Sequence, residues 1–333
     1  MRLLVLSAAD VHAVLGDAEC AQAMRGALTA LAAGRAQQPL RTVAQPAGAA
    51  GLVALMPAYL AGNGSPAAYG VKAICITPGN PAAGLDTHQG VVLLSDGRTG
   101  EPVAILNASA VTEIRTAAVS VVATELLARP DAAKLAVIGT GVQARAHILA
   151  LDGARRLASI RVAGRDSDRA EQLAASLRGR TRAPVRASPS AREAVTGADI
   201  IVTATSSVAP VLHRDWIAPG THINAVGACV PHARELDSAT VAAAVLFADR
   251  RDSLLAESGD YLMAAADGAV GPIRGELGEV LLGTVPGRLA PAEITVFESL
   301  GLAVEDLAAA ALAYRKASEA RGTGATVGAL VEF

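Results

Sequence analysis

Gly139-Thr140-Gly141-Val142-Gln143-Ala144 follows an apolar run, residues 135–138, and enters a segment of helical character. At this spacing the first glycine permits a tight turn and the second lets the backbone approach a pyrophosphate. The small third residue allows close packing of helix on strand. The helix N-terminus then presents amide hydrogens and a positive dipole end to the phosphates. A lone GxGxxA is weak, since glycines end turns everywhere; its place between strand and helix makes dinucleotide binding the expected reading, with Gly139, Gly141, Val142 and Gln143 at the cofactor. The next strand-like run, SIRVA, ends at Gly164-Arg165-Asp166. An acidic residue there bonds the ribose diol of NAD, and a basic one accommodates the 2′-phosphate of NADP. Arg165 favours NADP; a solvated Arg165 with Asp166 on the diol is the alternative, and it means NAD.

The elements that must position this turn are short apolar strands alternating with helices or loops: KLAVI, SIRVA, APVRA, ADIIVTATS, HINAVGA and AVLFADR. The alternation predicts an α/β fold with a doubly wound parallel sheet. Dinucleotides meet such sheets at the strand carboxyl ends. Thr205 and Ser206, ending the fourth strand, and Val226, ending the fifth, therefore join the cofactor candidates. Upstream, Ser7 with Asp10 three residues on predicts a capped short helix, and the Ala-rich stretch from Ala18 to Ala33 predicts a second ending at Gly34, so two helices open the chain. LRTVAQP, LVALMP and YGVKAICIT read as strands of one sheet, and GVVLLSD and PVAILN as a hairpin around residues 97–100. These make an α+β unit. Residues 109–128 have helical spacing, stop before Pro130 and are expected to bridge two domains. EITVFESLGLAVEDLAAAALAYRKA predicts a strand and a long Ala-rich helix whose apolar positions need a neighbour, expected to be the first domain.

The bulk properties narrow the partners. A chain of 333 residues suffices for two domains with cores of their own. A net charge of −2 removes the electrostatic case for nucleic acid or an anionic membrane, and aromatics at 2% argue against base-stacking platforms. No apolar run approaches the roughly 20 residues that span a bilayer, so a soluble protein is expected. The opening MRLLVLSAADVHAVLG is interrupted by Asp10 and His12 and reads as no targeting segment. Cys20, Cys75 and Cys229 lie far apart without metal-ligand spacing, which fits a reducing cytoplasm and no metal site. A small-molecule enzyme is the class that remains.

Beyond the glycine turn, the chain resembles the ornithine cyclodeaminase/μ-crystallin family over nearly its full length. The resemblance is carried by PLRTV at Pro39, LMPAY at Leu55, VKAICIT at Val71, THQGVVLL at Thr87, EIRTAAVSVVAT, IGTGVQA, HINAVGA at His222, REL at Arg234, ESGD at Glu257, GELGEV at Gly275 and SLGLAVED. It implies a substrate-binding and dimerisation domain of residues 1–115 plus 300–333, with a Rossmann domain of residues 116–299 inserted in it, a homodimer through the substrate domains and an active site in the cleft. The family's reactions share hydride transfer between nicotinamide and the α-carbon of an amino or imino acid.

Such a reaction needs cations for the α-carboxylate, a proton carrier near the α-nitrogen, and a nicotinamide face about 3 to 3.5 Å from the α-carbon. By resemblance Arg41 binds the carboxylate, for which a planar guanidinium fork is suited; a surface arginine is the alternative. Lys72 lies in an apolar segment where an unpaired ammonium is costly and its pKa readily shifts, so it is the leading candidate for substrate binding and proton transfer, against snorkelling from a strand edge. Arg115 has small apolar neighbours, Ala118 and Val119, which leave it free to reach a ligand. The family pattern sets it between substrate carboxylate and nicotinamide; a structural salt bridge is the alternative. Thr87, His88 and Gln89 fall in a loop before a strand, and the resemblance puts Thr87 and His88 beside the cofactor, with His88 also able to carry a proton. Ser299 and Gly301 are weaker cofactor candidates from SLGLAVED.

One departure matters. Ornithine cyclodeaminases carry an aspartate shortly after NAVG, two residues before the proline, that orients the δ-amine, and here Cys229 stands there. A thiol cannot hold an ammonium as a carboxylate does, so cyclisation loses its diagnostic side chain. Cys229 either touches substrate or only packs. The expectation is NAD(P)H-dependent reduction of a small α-imino acid such as piperideine-2-carboxylate or pyrroline-2-carboxylate. The alternatives are ornithine or lysine cyclodeamination with bound NAD, alanine-type amino acid dehydrogenation, and a nucleotide-dependent small-ligand binding protein without turnover. Arg41, Lys72 and Arg115 together argue against the last, because a pure binder has no need of the whole anion-and-proton set.

Overall fold

Arg2–Leu6 forms a strand, β1, where the sequence reads as opening with two helices. Five mostly apolar residues carry little signal alone. They become a strand because Leu4 pairs in parallel with Ala104 and Leu3 antiparallel with Val331, partners that only tertiary folding supplies. The computed structural model describes residues 2–62 and 66–332. Helix α1 (Ala8–Val14) starts as its spacing predicts: the Ser7 hydroxyl accepts the Asp10 N–H at 3.3 Å and the Asp10 carboxylate accepts the Ser7 N–H at 2.9 Å. Helix α2 (Asp17–Ala32) stops before Gly34, whose φ of +69° suits glycine. There follow β2 (Ala36–Gln37), β3 (Thr42–Ala44), β4 (Leu52–Leu60), β5 (Ala68–Ile76), β6 (His88–Asp96) and β7 (Pro102–Asn107). The Asn107 side chain accepts the Ala110 N–H at 2.9 Å and opens α3 (Ala108–Leu127).

The alternating region supplies β8 (Lys134–Ile138), α4 (Val142–Ala154), β9 (Ser159–Ala163), α5 (Ser167–Ser176), β10 (Val185–Ala187), α6 (Ala191–Val195), β11 (Ile200–Thr203) and β12 (His222–Ala225). It continues with α7 (Ser238–Ala243), β13 (Val245–Ala248), α8 (Arg251–Glu257), α9 (Gly259–Ala266), β14 (Ile273–Glu276), α10 (Leu277–Leu282) and β15 (Thr295–Glu298). Helix α11 (Ala303–Gly322) and strand β16 (Ala329–Glu332) close the chain. Contacts divide it into two units, Met1–Arg115 with Leu302–Phe333, and Thr116–Gly301, the boundary falling inside α3.

In the first unit the sheet runs β16-β1-β7-β6-β5-β4-β2, with β3 also paired to β4. Strand β4 alternates cleanly: Ala54, Met56 and Ala58 are buried while Val53, Leu55 and Pro57 are exposed. Helix α11 packs on α2 and across β4, β5 and β6, which gives its Ala-rich first half the neighbour it needs. Gly70 makes the approach close, since a Cβ there would stand 2.7 Å from Leu307 Cδ1. Strand β6 begins at His88, so His88 and Gln89 belong to the strand and not to the loop the sequence suggested.

The second unit is built on a parallel sheet in the order β10-β9-β8-β11-β12-β15-β13-β14. Strands β11, β12 and β15 are buried along their whole length, as expected where helices cover both faces. Ile201, Ile223, Leu246 and Val296 centre its core. Strands β11 and β12 end at Thr203 and Ala225, so Thr205, Ser206 and Val226 lie just beyond the strand ends. Two polar side chains of α3 bind this unit from within: Ser120 contacts His147 Nε2 at 2.9 Å and Thr124 accepts from the Asn224 amide at 3.0 Å. Among the described residues no helix is long and apolar enough to cross a membrane, and no group of three His, Cys, Asp or Glu is placed to hold a metal ion.

Candidate active site

In the first unit the chemistry gathers on the face of the sheet that α11 covers. Lys72 lies midway along β5, flanked across the sheet by Met56 and Val92, with 4% of its surface exposed. Its Nζ stands 2.6 Å from Asp306 Oδ2 and donates to Thr112 Oγ1 at 3.5 Å. Arg115, equally buried on α3, donates from Nε to Asp306 Oδ1 at 2.9 Å and from Nη1 to Glu305 Oε2 at 2.9 Å. Glu305 and Asp306 sit in the first turn of α11, where the helix dipole favours negative charge. Removing Asp306 takes from buried Lys72 the carboxylate 2.6 Å from its Nζ, and removing Arg115 takes from buried Glu305 its guanidinium, each of which is costly.

Arg115 is thus not the unencumbered side chain its small neighbours suggested. Its acidic partners come from a helix some 190 residues later, as the sequence separation of each bond shows. Burial lowers the Lys72 pKa, Asp306 pulls it back up, and the charges of Arg115 and Arg41 push it down again. Asp306 is held below the usual carboxylate range: burial opposes its ionisation, but Lys72 and Arg115 outweigh burial. Burial raises Glu305, against the pull of Arg115.

Arg41 precedes β3 and is half-buried. Its charge is felt at Lys72. The hydroxyl of Ser109 donates to the His88 carbonyl, and Thr87 accepts the Thr77 N–H at 2.9 Å through its carbonyl. Part of the His88 side chain is exposed, yet the protein packed around its ring and then the positive charges of Lys72 and Arg115 lower its pKa.

In the second unit the glycine turn is closely packed at Gly139 and open at Gly141. Gly139 adopts φ +134°, and a Cβ on it would fall 2.3 Å from the Ala204 carbonyl oxygen. Gly141 caps α4 without a side-chain bond to the helix amides, and a Cβ there would meet nothing within 4 Å. Ala144 is fully buried beneath, while Val142, at the helix start, is 53% exposed. An uncapped helix N-terminus with open space before it fits a dinucleotide's phosphates. At the end of β9, Gly164 lies against Thr140, and Arg165 is exposed. Asp166 caps α5, its Oδ1 accepting the Asp168 and Arg169 N–H groups at 3.0 and 3.2 Å. That carboxylate has a structural task in its own helix.

Sequence reasoning missed the buried acids behind the strand ends. Glu235 Oε1 accepts the Thr205 N–H at 2.6 Å and its Oε2 the Gly227 N–H at 2.7 Å, so one carboxylate ties the loops after β11 and β12. Asp260 accepts the N–H groups of Glu235 and Leu236 at 2.7 and 2.8 Å. Asp249 accepts those of Leu300 and Gly301 at 2.8 and 2.6 Å, and Ser258 donates to Glu298 at 3.0 Å. Burial raises Glu235, pushes Asp260 up to about 7 and holds Glu298 well above its ordinary range. The available signal was the presence of Glu235 and Asp260 in the family-like motifs REL and ESGD.

Ser299 follows β15, its N–H bonded to the Ala225 carbonyl at 2.9 Å and its hydroxyl buried with no partner among the described residues. Gln143 lies in the first turn of α4. Cys229 is partly buried and packs against the cluster of Ala248, Leu254 and Leu300. That environment suits a thiol acting as a small hydrophobe.

Residues 1–321 match the ornithine cyclodeaminase/mu-crystallin family. The ketimine reductase mu-crystallin of Mus musculus is 41% identical over 281 residues, covering 84% of this chain and 85% of that protein. Among solved structures, Thermococcus litoralis Delta(1)-pyrroline-2-carboxylate reductase, in complex with NADH and L-proline, superposes with a TM-score of 0.92 at 36% identity, covering 98% of this chain and 99% of that one. An archaeal alanine dehydrogenase dimer with bound NAD gives a TM-score of 0.92 at 30% identity over 100% of both chains. The resemblance seen in the sequence motifs is borne out: this chain belongs to the ornithine cyclodeaminase/mu-crystallin family.

Proposed function

We propose that this protein is an NAD(P)H-dependent reductase of a small α-imino acid, of the size of piperideine-2-carboxylate or pyrroline-2-carboxylate. The observation that carries the reading is the buried Lys72, a titratable amine held with Arg115 by Asp306 and facing the charge of Arg41. The nicotinamide, when bound, supplies a hydride to the C=N carbon, and the nitrogen gains a proton as the C=N bond becomes CH–NH. Arg41 and Arg115 bind the substrate carboxylate, and Lys72 orients the nitrogen and releases the proton. Gly139, Gly141, Val142 and Gln143 hold the pyrophosphate, and Gly164 and Arg165 the adenosine end, with NADP preferred because Arg165 is exposed while Asp166 is engaged in capping. Thr87, His88, Thr205, Ser206, Val226 and Ser299 complete the cofactor contacts. Cys229 replaces the carboxylate a cyclodeaminase uses, and its apolar packing favours reduction over cyclisation.

In this reading the first unit binds substrate and dimerises, and the second binds the dinucleotide. The exposed apolar face of Val43, Val53, Leu55, Tyr69 and Val91 supports a homodimer through the first unit. Three unpaired cysteines support a reducing, cytoplasmic setting. The decisive assay is NADPH oxidation by the purified protein with pyrroline-2-carboxylate or piperideine-2-carboxylate, run beside ornithine and alanine. Reduction of the cyclic imines is the expected result. Ammonia release from ornithine without added reductant overturns it in favour of cyclodeamination, and alanine-dependent NAD reduction in favour of an alanine dehydrogenase.

A further inference from the structure

Lysine is scarce in this chain: it occurs only at Lys72, Lys134 and Lys316 among 29 basic residues. Arginine does the work of positive charge nearly everywhere else, and arginine does not release a proton in proteins. The most buried lysine therefore stands where a titratable amine matters and a permanent charge does not suffice. Buried amines lose their proton readily, so something in the fold has to hold it.

We propose that Asp306 is a positioning residue for proton transfer: one carboxylate oxygen keeps the Lys72 ammonium charged and aimed, while the other fixes Arg115 at a set distance from it. The inference rests on the reading of Lys72 as the proton donor. The geometry is direct, with Asp306 Oδ2 at 2.6 Å from Lys72 Nζ and Oδ1 at 2.9 Å from Arg115 Nε. Asp306 is itself locked in place. The Val304 N–H donates to Gln38 Oε1 at 2.9 Å, the Leu302 N–H to Glu305 Oε2 at 3.2 Å, and Leu307 closes on Gly70.

The charged or titratable groups that face Lys72 are Asp306 and Glu305 from α11, Arg115 from α3, Arg41 before β3 and His88 at the start of β6. Both arginines push Lys72 toward the neutral amine, and burial does the same. Asp306, in direct contact, is the group that opposes them. During reduction an Nζ–H bond breaks and the proton goes to the substrate nitrogen, which receives the electron pair of the C=N bond as hydride adds to carbon. Lys72 is left neutral beside Asp306 and regains its proton from water, drawn by the same carboxylate.

The test is the titration of Lys72 in the whole protein, followed by NMR with lysine labelled with 13C at Cε and assigned through Lys134→Arg and Lys316→Arg. Asp306→Asn is expected to lower the Lys72 titration by about 1 to 3 pH units, the size of effect an adjacent opposite charge produces. The alkaline limb of kcat/KM for pyrroline-2-carboxylate is expected to move the same way, so activity lost at pH 8 returns on acidification. Asp306→Glu restores both in part. A Lys72 titration unmoved in a folded Asp306→Asn protein overturns the inference, whereas a wild type that reduces no imino acid overturns the underlying reading instead. If Asp306→Asn does not fold, Asp306→Glu decides: the displaced carboxylate is expected to lower the Lys72 titration and the alkaline limb of kcat/KM together, and a folded Asp306→Glu protein with both unmoved overturns the inference.

Discussion

Glu235 lies directly beneath Gly227: the carboxylate accepts the Gly227 N–H at 2.7 Å, and a Cβ on that glycine would stand 2.7 Å from the carboxyl carbon. The same Cβ would come within 2.2 Å of the Thr205 carbonyl oxygen. The glycine of HINAVGA and the acid of REL, eight residues apart, are therefore one structural device that joins two strand-end loops. Glu235→Gln places an amide donor against one of two backbone N–H donors, an unsatisfied pairing that costs about 1 to 3 kcal/mol. Urea denaturation is expected to show that loss, and fluorescence titration a weaker NADPH affinity. Affinity that stays at the wild-type level would separate these loops from nucleotide binding.

The 2′-phosphate assignment rests on one side chain. On the proposed reading, Arg165→Ala is expected to cost a charge-assisted contact of about 1.5 to 3 kcal/mol, which corresponds to roughly a 10- to 150-fold rise in KM for NADPH with NADH little affected. Michaelis constants for both nucleotides decide, and an unchanged preference for NADPH rejects the role of Arg165.

Two buried groups of the second unit bend stability with pH in opposite directions. His222 contacts Thr295 Oγ1 at 3.0 Å, and burial, aided by the Arg288 charge, pushes its pKa down to about 3 from 6.5. Its contribution is complete above pH 6.5 and is lost as the pH falls toward 3. Asp260 is raised from 3.8 to about 7 by burial and then by the neighbouring Glu235, so its contribution is complete below pH 3.8 and is lost as the pH rises through 7. The melting temperature of His222→Gln is thus expected to gain on the wild type as the pH falls from 6.5. That of Asp260→Asn is expected to gain as the pH rises from 4 to 7. Parallel Tm curves for a variant and the wild type would show that its group does not titrate as assigned.

The exposed sheet face of the first unit presents Leu55 at 44% and Tyr69 at 50% exposure. Leu55→Glu with Tyr69→Asp puts two charges where a dimer would exclude water. Light scattering of the wild type is expected to give twice the chain mass and the double variant the chain mass alone, with activity lost only in part. A double variant that remains dimeric moves the interface elsewhere.

Local physics made much of this protein legible in advance. Ser7 and Asp10 cap a helix through bonds three residues apart, and the Gly139 turn depends on a single backbone angle. The parallel strands are buried on both faces, so they appear as unbroken apolar runs even in isolation. β1 escaped because five residues have no period worth reading until β7 and β16 lie beside them.

By itself, then, the sequence made the glycine turn and the alternating sheet legible, and its family resemblance named Arg41, Lys72 and Arg115 as the candidate cations. Only the tertiary structure decided what those cations touch. Glu305 and Asp306 look like ordinary first-turn acids of a long helix, where the dipole explains them fully, and nothing local marks them as partners of β5 and α3. Charge pairing across some 190 residues leaves no periodicity in a sequence, because the attraction acts through space once α11 has packed on the sheet. Glu235 and Asp260 escaped for the same reason: their task is to accept backbone N–H groups, which every residue but proline offers and no side-chain pattern announces.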